Sequence, residues 1–449
     1  MSATTLDPNH PHADPRAQAL HAGTDATAPA SGTPISRKAI AAAVAGNALE
    51  FYDFVIYAYF AVYIGRTFFP IGGEFGSLLA AVATFGVGFF TRPLGAVLIG
   101  AFADKAGRKP AMILTVTLIT VGTLGLAATP SYASIGIAAP IVVVLCRLLQ
   151  GLALGGEVGP ATALLIEAAP ANRRGFYSSW QIASQGLAVT VGGVFGVTLS
   201  LLLTAEQLAS WGWRVPFLFS LVLIPIAIYI RRSLPETHEG TQDRSGTQIV
   251  GSVFREHRRI LLLGIMVTAS TAVASQVGNY MVTYAVQVLK LGPALAQGSV
   301  LIGGAVTFVF ALVGGLLCDR YGRKAVNMLP RIALMVLIVP MFLWLSGAPT
   351  AFALLGVSAS LAALTAIFGA AGLLTVPELM PIAIRSTGLS LVYAISTSVF
   401  GGTTQFVITW LLAVTHDPLS PAYYVVAVGA LSVWAMWRLP ESRNVDVTR

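Results

Sequence analysis

The chain of 449 residues is 55% hydrophobic and only 10% charged, with 27 Lys and Arg against 19 Asp and Glu for a formal net charge of +8. Soluble domains carry about 25% charged residues, so this balance excludes a water-facing globular surface. The positive excess does not make a nucleic-acid patch either, because the basic residues are spread over short loops between long apolar runs.

Residues 1–35 are polar and carry His10, His12 and His21. They hold no apolar core of the kind a cleaved signal peptide needs, and read as a disordered cytoplasmic tail whose histidines bind no metal. Twelve apolar runs follow, near the roughly 20 residues that cross a bilayer as helix. They cover about 38–65, 76–103, 110–129, 137–167, 175–203 and 213–231, then 258–288, 296–318, 325–346, 350–377, 386–414 and 420–438. They are too long and too uniformly apolar for the alternating strands of a barrel. The expected fold class is an all-α membrane protein of twelve transmembrane helices in two pseudo-symmetric six-helix bundles, residues 36–232 and 257–440. A polar cytoplasmic linker at 233–256 joins them, and a cytoplasmic tail at 441–449 ends the chain. Cys146 and Cys318 fall inside spans, so no disulfide framework is implied.

Basic residues gather at Lys105, Arg108 and Lys109, at Arg173 and Arg174, at Arg231 and Arg232, at Arg255, Arg258 and Arg259, and at Arg320, Arg323 and Lys324. The alternate loops at 129–137 and 345–352 hold none. Loops rich in Lys and Arg stay on the cytoplasmic side, which places both termini there.

One of these loops is duplicated. Gly-Ala-Phe-Ala-Asp-Lys-Ala-Gly-Arg-Lys (100–109) returns as Gly-Gly-Leu-Leu-Cys-Asp-Arg-Tyr-Gly-Arg-Lys (314–324), with Asp104 and Asp319 215 residues apart. Residues 165–175 likewise parallel 376–388, matching Glu167 to Glu378, and 233–237 parallel 438–442. Gly107 and Gly322 sit where a tight turn needs left-handed backbone. Topology alone does not ask for an aspartate in both copies, since acidic residues contribute little to orientation.

The doubled Gly-x-x-x-Asp-Arg/Lys-x-Gly-Arg-Lys turn resembles the signature of the major facilitator superfamily, and the resemblance runs from 36 to 442. A narrower resemblance is to the metabolite:proton symporter family, which includes citrate, α-ketoglutarate, shikimate and proline/betaine carriers. It is carried by Gly-Asn-Ala-Leu-Glu-Phe-Tyr-Asp-Phe (46–54), Thr-Arg-Pro-Leu-Gly (91–95), Arg-Leu-Leu-Gln-Gly-Leu-Ala-Leu-Gly-Gly-Glu (147–157) and Arg-Arg-Ser-Leu-Pro-Glu-Thr (231–237). Within that family the chain looks most like the citrate and tricarboxylate carriers, through Asp53-Phe54 and Ser-Ser-Trp-Gln-Ile-Ala-Ser-Gln (178–185). The resemblance implies a secondary active transporter of the bacterial inner membrane, working as a monomer in the lipid bilayer. It implies import of a small-molecule substrate by alternating access, with protons as the coupling ion and no cofactor. It also implies a cytoplasmic gate formed by Asp104, Gly107, Arg108, Glu167, Arg174, Asp319, Gly322, Arg323, Glu378 and Arg385.

The cargo is to be sought in charges at membrane depth. Asn47, Glu50, Asp53 and Tyr57, spaced by three and four, share one helix face, and Glu50 lies about 18 Å into its run. Arg92 lies in the second run, and Arg147, Gln150 and Glu157 in the fourth. A charge near the bilayer centre costs roughly 2.5–3.5 kcal/mol and persists where it lines a cavity or has a partner. Carboxylates that take a proton beside arginines that cannot lose theirs fit proton coupling through Glu50, Asp53, Arg147 and Glu157. Plainer readings stay open: Arg147 and Glu157 fixing helix packing, Arg92 anchoring its helix, Glu50 and Asp53 as a solvated cluster.

The second half differs. Spans 7, 8, 10 and 11 have no Lys or Arg between their ends. Span 7 has Thr271, Ser275, Asn279 and Thr283 at four-residue spacing, flanked by Gln276, Tyr280 and Tyr284, and span 11 offers Tyr393, Ser396, Thr397, Thr404 and Gln405. Such stripes serve as interhelical glue or as cavity lining, and Gln, Asn and Tyr make this one wider than glue requires. The expected substrate contacts are Asn47, Tyr57, Arg92, Arg147, Gln181, Gln185, Gln276, Asn279, Tyr280, Tyr393 and Thr397. Deep arginines suit a carboxylate such as citrate or another organic acid. Two are few for a trianion, and both lie in segments shared with zwitterion carriers, so a proline or betaine symporter stays open. Drug:proton antiport fits the polar stripes poorly, and a non-transporting sensor lacks an appended domain. No P-loop, metal-ligand spacing or nucleophile–base pair supports an enzyme.

Overall fold

A computed structural model describes residues 37–106, 108–155, 162, 165–166, 169–170, 172–221, 254–381 and 384–443. Every regular element among them is a helix. The first half contains α1 (Arg37–Tyr59), α2 (Ala61–Phe68), α3 (Gly73–Phe90), α4 (Arg92–Ala106), α5 (Arg108–Ala128), α6 (Ala138–Leu154) and α7 (Arg174–Leu202). The second contains α8 (Arg258–Gln287), α9 (Pro293–Tyr321), α10 (Arg323–Gly347), α11 (Ala351–Glu378), α12 (Arg385–Ser396), α13 (Gly402–Thr415) and α14 (Ser420–Arg438). Among the described residues eight helical spans are long and apolar enough to cross a membrane, or nine with α1 and α2 taken as one bent span, and Ile113–Ala128 and Ala138–Leu154 are shorter apolar helices. The sixth expected span is described only to residue 221, and the tail 1–35 and most of the linker 233–256 lie outside the described residues.

Three expected spans are interrupted, the second of them only at the single turn residue Thr91 between α3 and α4. The first bends by 64° between α1 and α2, although no Gly or Pro lies within four residues of Phe60. The reason is tertiary: the Gln297 side-chain amide of α9 donates to the Tyr59 carbonyl at 3.1 Å, giving a partner to a group the break releases. The eleventh passes through a π turn at Thr397–Gly401 between α12 and α13, a device that locally widens a helix.

The halves meet along α7 and α9, backbone on backbone. A Cβ on Gly175 would strike the Gly315 carbonyl, one on Gly186 would lie 2.6 Å from the Phe308 nitrogen, and one on Gly193 2.6 Å from Leu301 Cα. A second crossing sets Gly86 of α3 against the Gly402 carbonyl of α13. Small residues let helices approach this closely where hydrocarbon supplies no drive for association. Exposed Leu201, Leu202, Phe352 and Trp437 face outward, as lipid contact requires.

Candidate functional site

Between the halves lies a cavity of about 130 Å³. One wall carries Phe51, Phe89, Arg92 and Gln185; the other carries residues of α8, α9, α11 and α12. Of the expected substrate contacts, Arg92, Gln185, Gln276, Asn279, Tyr393 and Thr397 line it.

The others, Asn47, Tyr57, Arg147, Gln181 and Tyr280, lie behind its walls, hydrogen-bonded to neighbouring groups except for Arg147 Nε and Nη2, which have no partner. The Gln181 amide donates to Asn47 Oδ1 at 2.8 Å, and Asn47 Nδ2 donates to Ser184 Oγ at 2.6 Å, tying α1 to α7. The Tyr57 hydroxyl donates to the Ala81 carbonyl at 3.2 Å, and that of Tyr280 accepts from Thr409 at 2.9 Å. The stripe on α8 therefore divides: Thr271, Ser275, Gln276 and Asn279 face the cavity, while Tyr284 donates to the Pro418 carbonyl.

Arg147 is completely buried, donating through Nη1 to Gln150 Oε1 at 2.7 Å, and Gln150 donates in turn to Thr123. Its guanidinium lies 4.6 Å from the Tyr57 ring centroid and 4.9 Å from that of Phe54. Arg92 lies 4.5 Å from the same Phe54 ring and 4.2 Å from Phe89. Phe54 thus sits against both cations, and the ring quadrupoles offset part of their desolvation. Asp53 is buried with Ser220 and Arg147 within electrostatic reach, and its Oδ1 accepts no hydrogen bond. Glu50 and Tyr393 stand in the same relation to Arg92. Two cations therefore face two carboxylates, and each proton added leaves one unit of uncompensated positive charge.

Buried polar atoms are nearly always satisfied. On the cavity wall Arg92 Nε, Gln185 Nε2, Ser358 Oγ and Thr365 Oγ1 are not, which leaves four polar atoms able to partner a polar ligand. Ser358 and Thr365 of α11 were missed in the sequence; their spacing of seven, two turns on one face, was the available signal. Arg331 of α10, buried within the second half, was missed as well, although an arginine inside the apolar run 325–346 is visible by inspection.

At the basic-loop end the second copy of the duplicated turn makes two sets of contacts. The Asp319 carboxylate accepts the backbone N–H of Gly175 at 2.7 Å and of Phe176 at 2.9 Å, at the start of α7 in the other half. Arg174 begins that helix. Arg323 grips Glu378 with two hydrogen bonds of 2.9 and 2.7 Å, and Ser442 donates to the same carboxylate. The Arg385 guanidinium donates to the Pro377 carbonyl. Gly322 has φ +90°, as the tight turn demands. Glu441 accepts the backbone N–H groups of Arg323 and Lys324, each at 2.9 Å. Burial alone would raise the Glu441 carboxyl, but these N–H groups and that of Arg443 hold it below its ordinary value. Gly107, Glu157 and Glu167, with the side chains of Asp104 and Arg108, lie outside the described residues.

At the opposite end Tyr59 donates to Asn279 Oδ1 at 3.3 Å, linking α1 to α8 next to the Gln297 contact.

A family model described as Major Facilitator Superfamily matches residues 44–404. The chain is 36% identical over 390 residues to a citrate-proton symporter of Klebsiella pneumoniae, covering 86% of this chain and 88% of that protein. It is 33% identical over 425 residues to a proline/betaine transporter of Salmonella typhimurium, covering 91% and 84%. Among solved structures, that of a D-xylose-proton symporter matches with a TM-score of 0.75 over 91% of this chain and 99% of that one, at 17% identity, a likeness of fold alone.

Proposed function

The chain belongs to the major facilitator superfamily, and from that premise we propose that it is a proton-coupled symporter importing a small carboxylate of the citrate kind across a bacterial inner membrane. The observation that carries this reading is the pair of buried arginines on one aromatic ring, with protonatable carboxylates in reach and Arg92 exposed to a cavity whose far wall carries polar but uncharged side chains.

In the empty carrier, ionised Asp53 and Glu50 compete with any anion for Arg147 and Arg92. Protonation removes that competition, so the proton raises the affinity for substrate and substrate raises the affinity for the proton, by the same factor. Each net positive charge carried inward gains about 2.3 kcal/mol per 100 mV, so a di- or trianion calls for protons in excess of its charge. Alternating access then consists of releasing one end while the other holds. Asp319 of α9, held against the start of α7, closes the basic-loop end, which the positive-inside pattern assigns to the cytoplasm together with both termini. Tyr59, Asn279 and Gln297 close the other. The carrier works as a monomer.

A second reading, symport of a betaine-like zwitterion, draws on the aromatic faces of Phe51 and Tyr393 on the cavity wall, which suit a quaternary ammonium, and on the proline/betaine relative. Uptake of labelled citrate, tricarballylate, α-ketoglutarate, shikimate, proline and betaine into proteoliposomes with an imposed pH gradient separates the two. Accumulation of a carboxylate that collapses with the gradient is expected. Accumulation indifferent to the gradient defeats symport, and accumulation of proline or betaine alone defeats the carboxylate.

A further inference from the structure

Arg331 is 1% exposed, and among the described residues it has no carboxylate partner. It donates to the Ser432 hydroxyl of α14, to the Val267 carbonyl at 3.3 Å and to Thr271 Oγ1 at 3.5 Å, and its Nε has no partner. The Phe368 ring lies 4.5 Å beneath the guanidinium. Counted from Arg323, Arg331 stands about 12 Å into the helix. A permanent charge at such depth among neutral groups is costly unless something compensates it.

Thr271 supplies the connection. The same hydroxyl that accepts from Arg331 belongs to a residue of the cavity wall, and on α11 Ser358 and Thr365 present unpartnered hydroxyls to the same space. The guanidinium therefore lies one side chain behind the second half's wall, and Arg92 lies on the first half's wall. Among the described residues the deep groups are three arginines, Arg92, Arg147 and Arg331, against two carboxylates, Glu50 and Asp53: a net charge of +1 that becomes +2 or +3 as protons are added.

We propose that Arg331 is a specificity-determining residue, which with Thr271 and Thr365 forms an anion subsite in the second half, so that the accepted solute carries carboxylates at both ends. This rests on the carboxylate reading above. It selects di- and tricarboxylates over solutes with a single carboxylate, since only the former reach the field of a cation in each half. It also supplies the third positive charge that the first half lacks.

The test measures labelled citrate uptake by full-length protein in proteoliposomes with a pH gradient, competed by tricarballylate (three carboxylates) or propionate (one). Arg331→Gln is expected to raise the citrate KM and the tricarballylate inhibition constant by about tenfold or more, the scale of one lost charge-assisted contact, and to leave propionate inhibition unchanged. Arg331→Lys recovers most of the affinity, and Thr271→Val, which leaves the charge in place, weakens tricarballylate selectively. Equal loss for both competitors is the mark of a packing role and overturns the proposal, as does a citrate KM for Arg331→Gln within about twofold of wild type. If Arg331→Gln does not fold, the competitor ratio in Arg331→Lys and Thr271→Val decides by the same criterion. A wild type that accumulates no carboxylate refutes the reading this rests on, whereas citrate accumulation indifferent to Arg331 refutes the subsite alone.

Discussion

Asp319 and Gly175 belong to opposite halves of the chain, and the carboxylate of the first accepts the backbone N–H of the second at 2.7 Å. With Phe176 N–H at 2.9 Å, the same group satisfies two of the amides that the start of α7 leaves without helical partners. A negative charge at a helix N-terminus is favourable by about 0.3–1 kcal/mol, and by up to about 2 where partly buried. Asp319→Asn should therefore shift the resting population several-fold toward opening at the basic-loop end. In a cysteine-free background with Ser275→Cys on the cavity wall, a membrane-impermeant maleimide applied from that side should label faster. Unchanged labelling would show that the contact latches nothing.

Neutralising the carboxylates separates coupling from binding. Asp53→Asn and Glu50→Gln should abolish accumulation driven by a pH gradient while leaving exchange of labelled for unlabelled substrate at a measurable rate. Counterflow in proteoliposomes is the readout. Normal accumulation by both variants would remove these residues from the coupling step.

Gly86→Ala drives a methyl group into the Gly402 carbonyl, a backbone atom that no rotamer change can move aside. Uptake should fall to background with membrane insertion intact. Gly347→Ala, whose added carbon meets nothing within 4 Å, is the control and should transport normally. Comparable uptake by the two variants would mean that α3 and α13 need not touch.

Glu441 gives a dependence on acidity. Its carboxyl is held below the ordinary value in the folded protein, so its contribution to stability is complete at neutral pH and is lost as the pH falls through the depressed value. Melting temperature measured in detergent should drop between about pH 6 and about pH 3, and Glu441→Gln should start lower at neutral pH and lose part of that slope. Parallel curves for the two proteins would assign the acid sensitivity elsewhere.

The apolar runs and the doubled turn made most of the membrane architecture legible, because span length and helix-end punctuation are local properties. The bend after Tyr59 was not: it depends on a Gln297 amide 238 residues away, and the residues around Phe60 carry no breaker. Polar periodicity on α1 picked out Asn47, Glu50, Asp53 and Tyr57 as one face, but periodicity does not say what a face meets. Asn47 meets Gln181, and neither lines the cavity. Arg92, Gln276 and Tyr393 reach it because their helices do. Ser358 and Thr365 went unread because two hydroxyls in a long apolar run look like tolerated exceptions until the opposite wall is known.

The glycine contacts between α7 and α9 bear on speed. Interlocking side chains would have to be lifted past one another whenever the halves roll, one rotamer barrier at a time. Along the glycine track few such teeth remain, chiefly Trp180 against Phe308, so friction there should be low and the polar clasps at its two ends should set the pace of turnover.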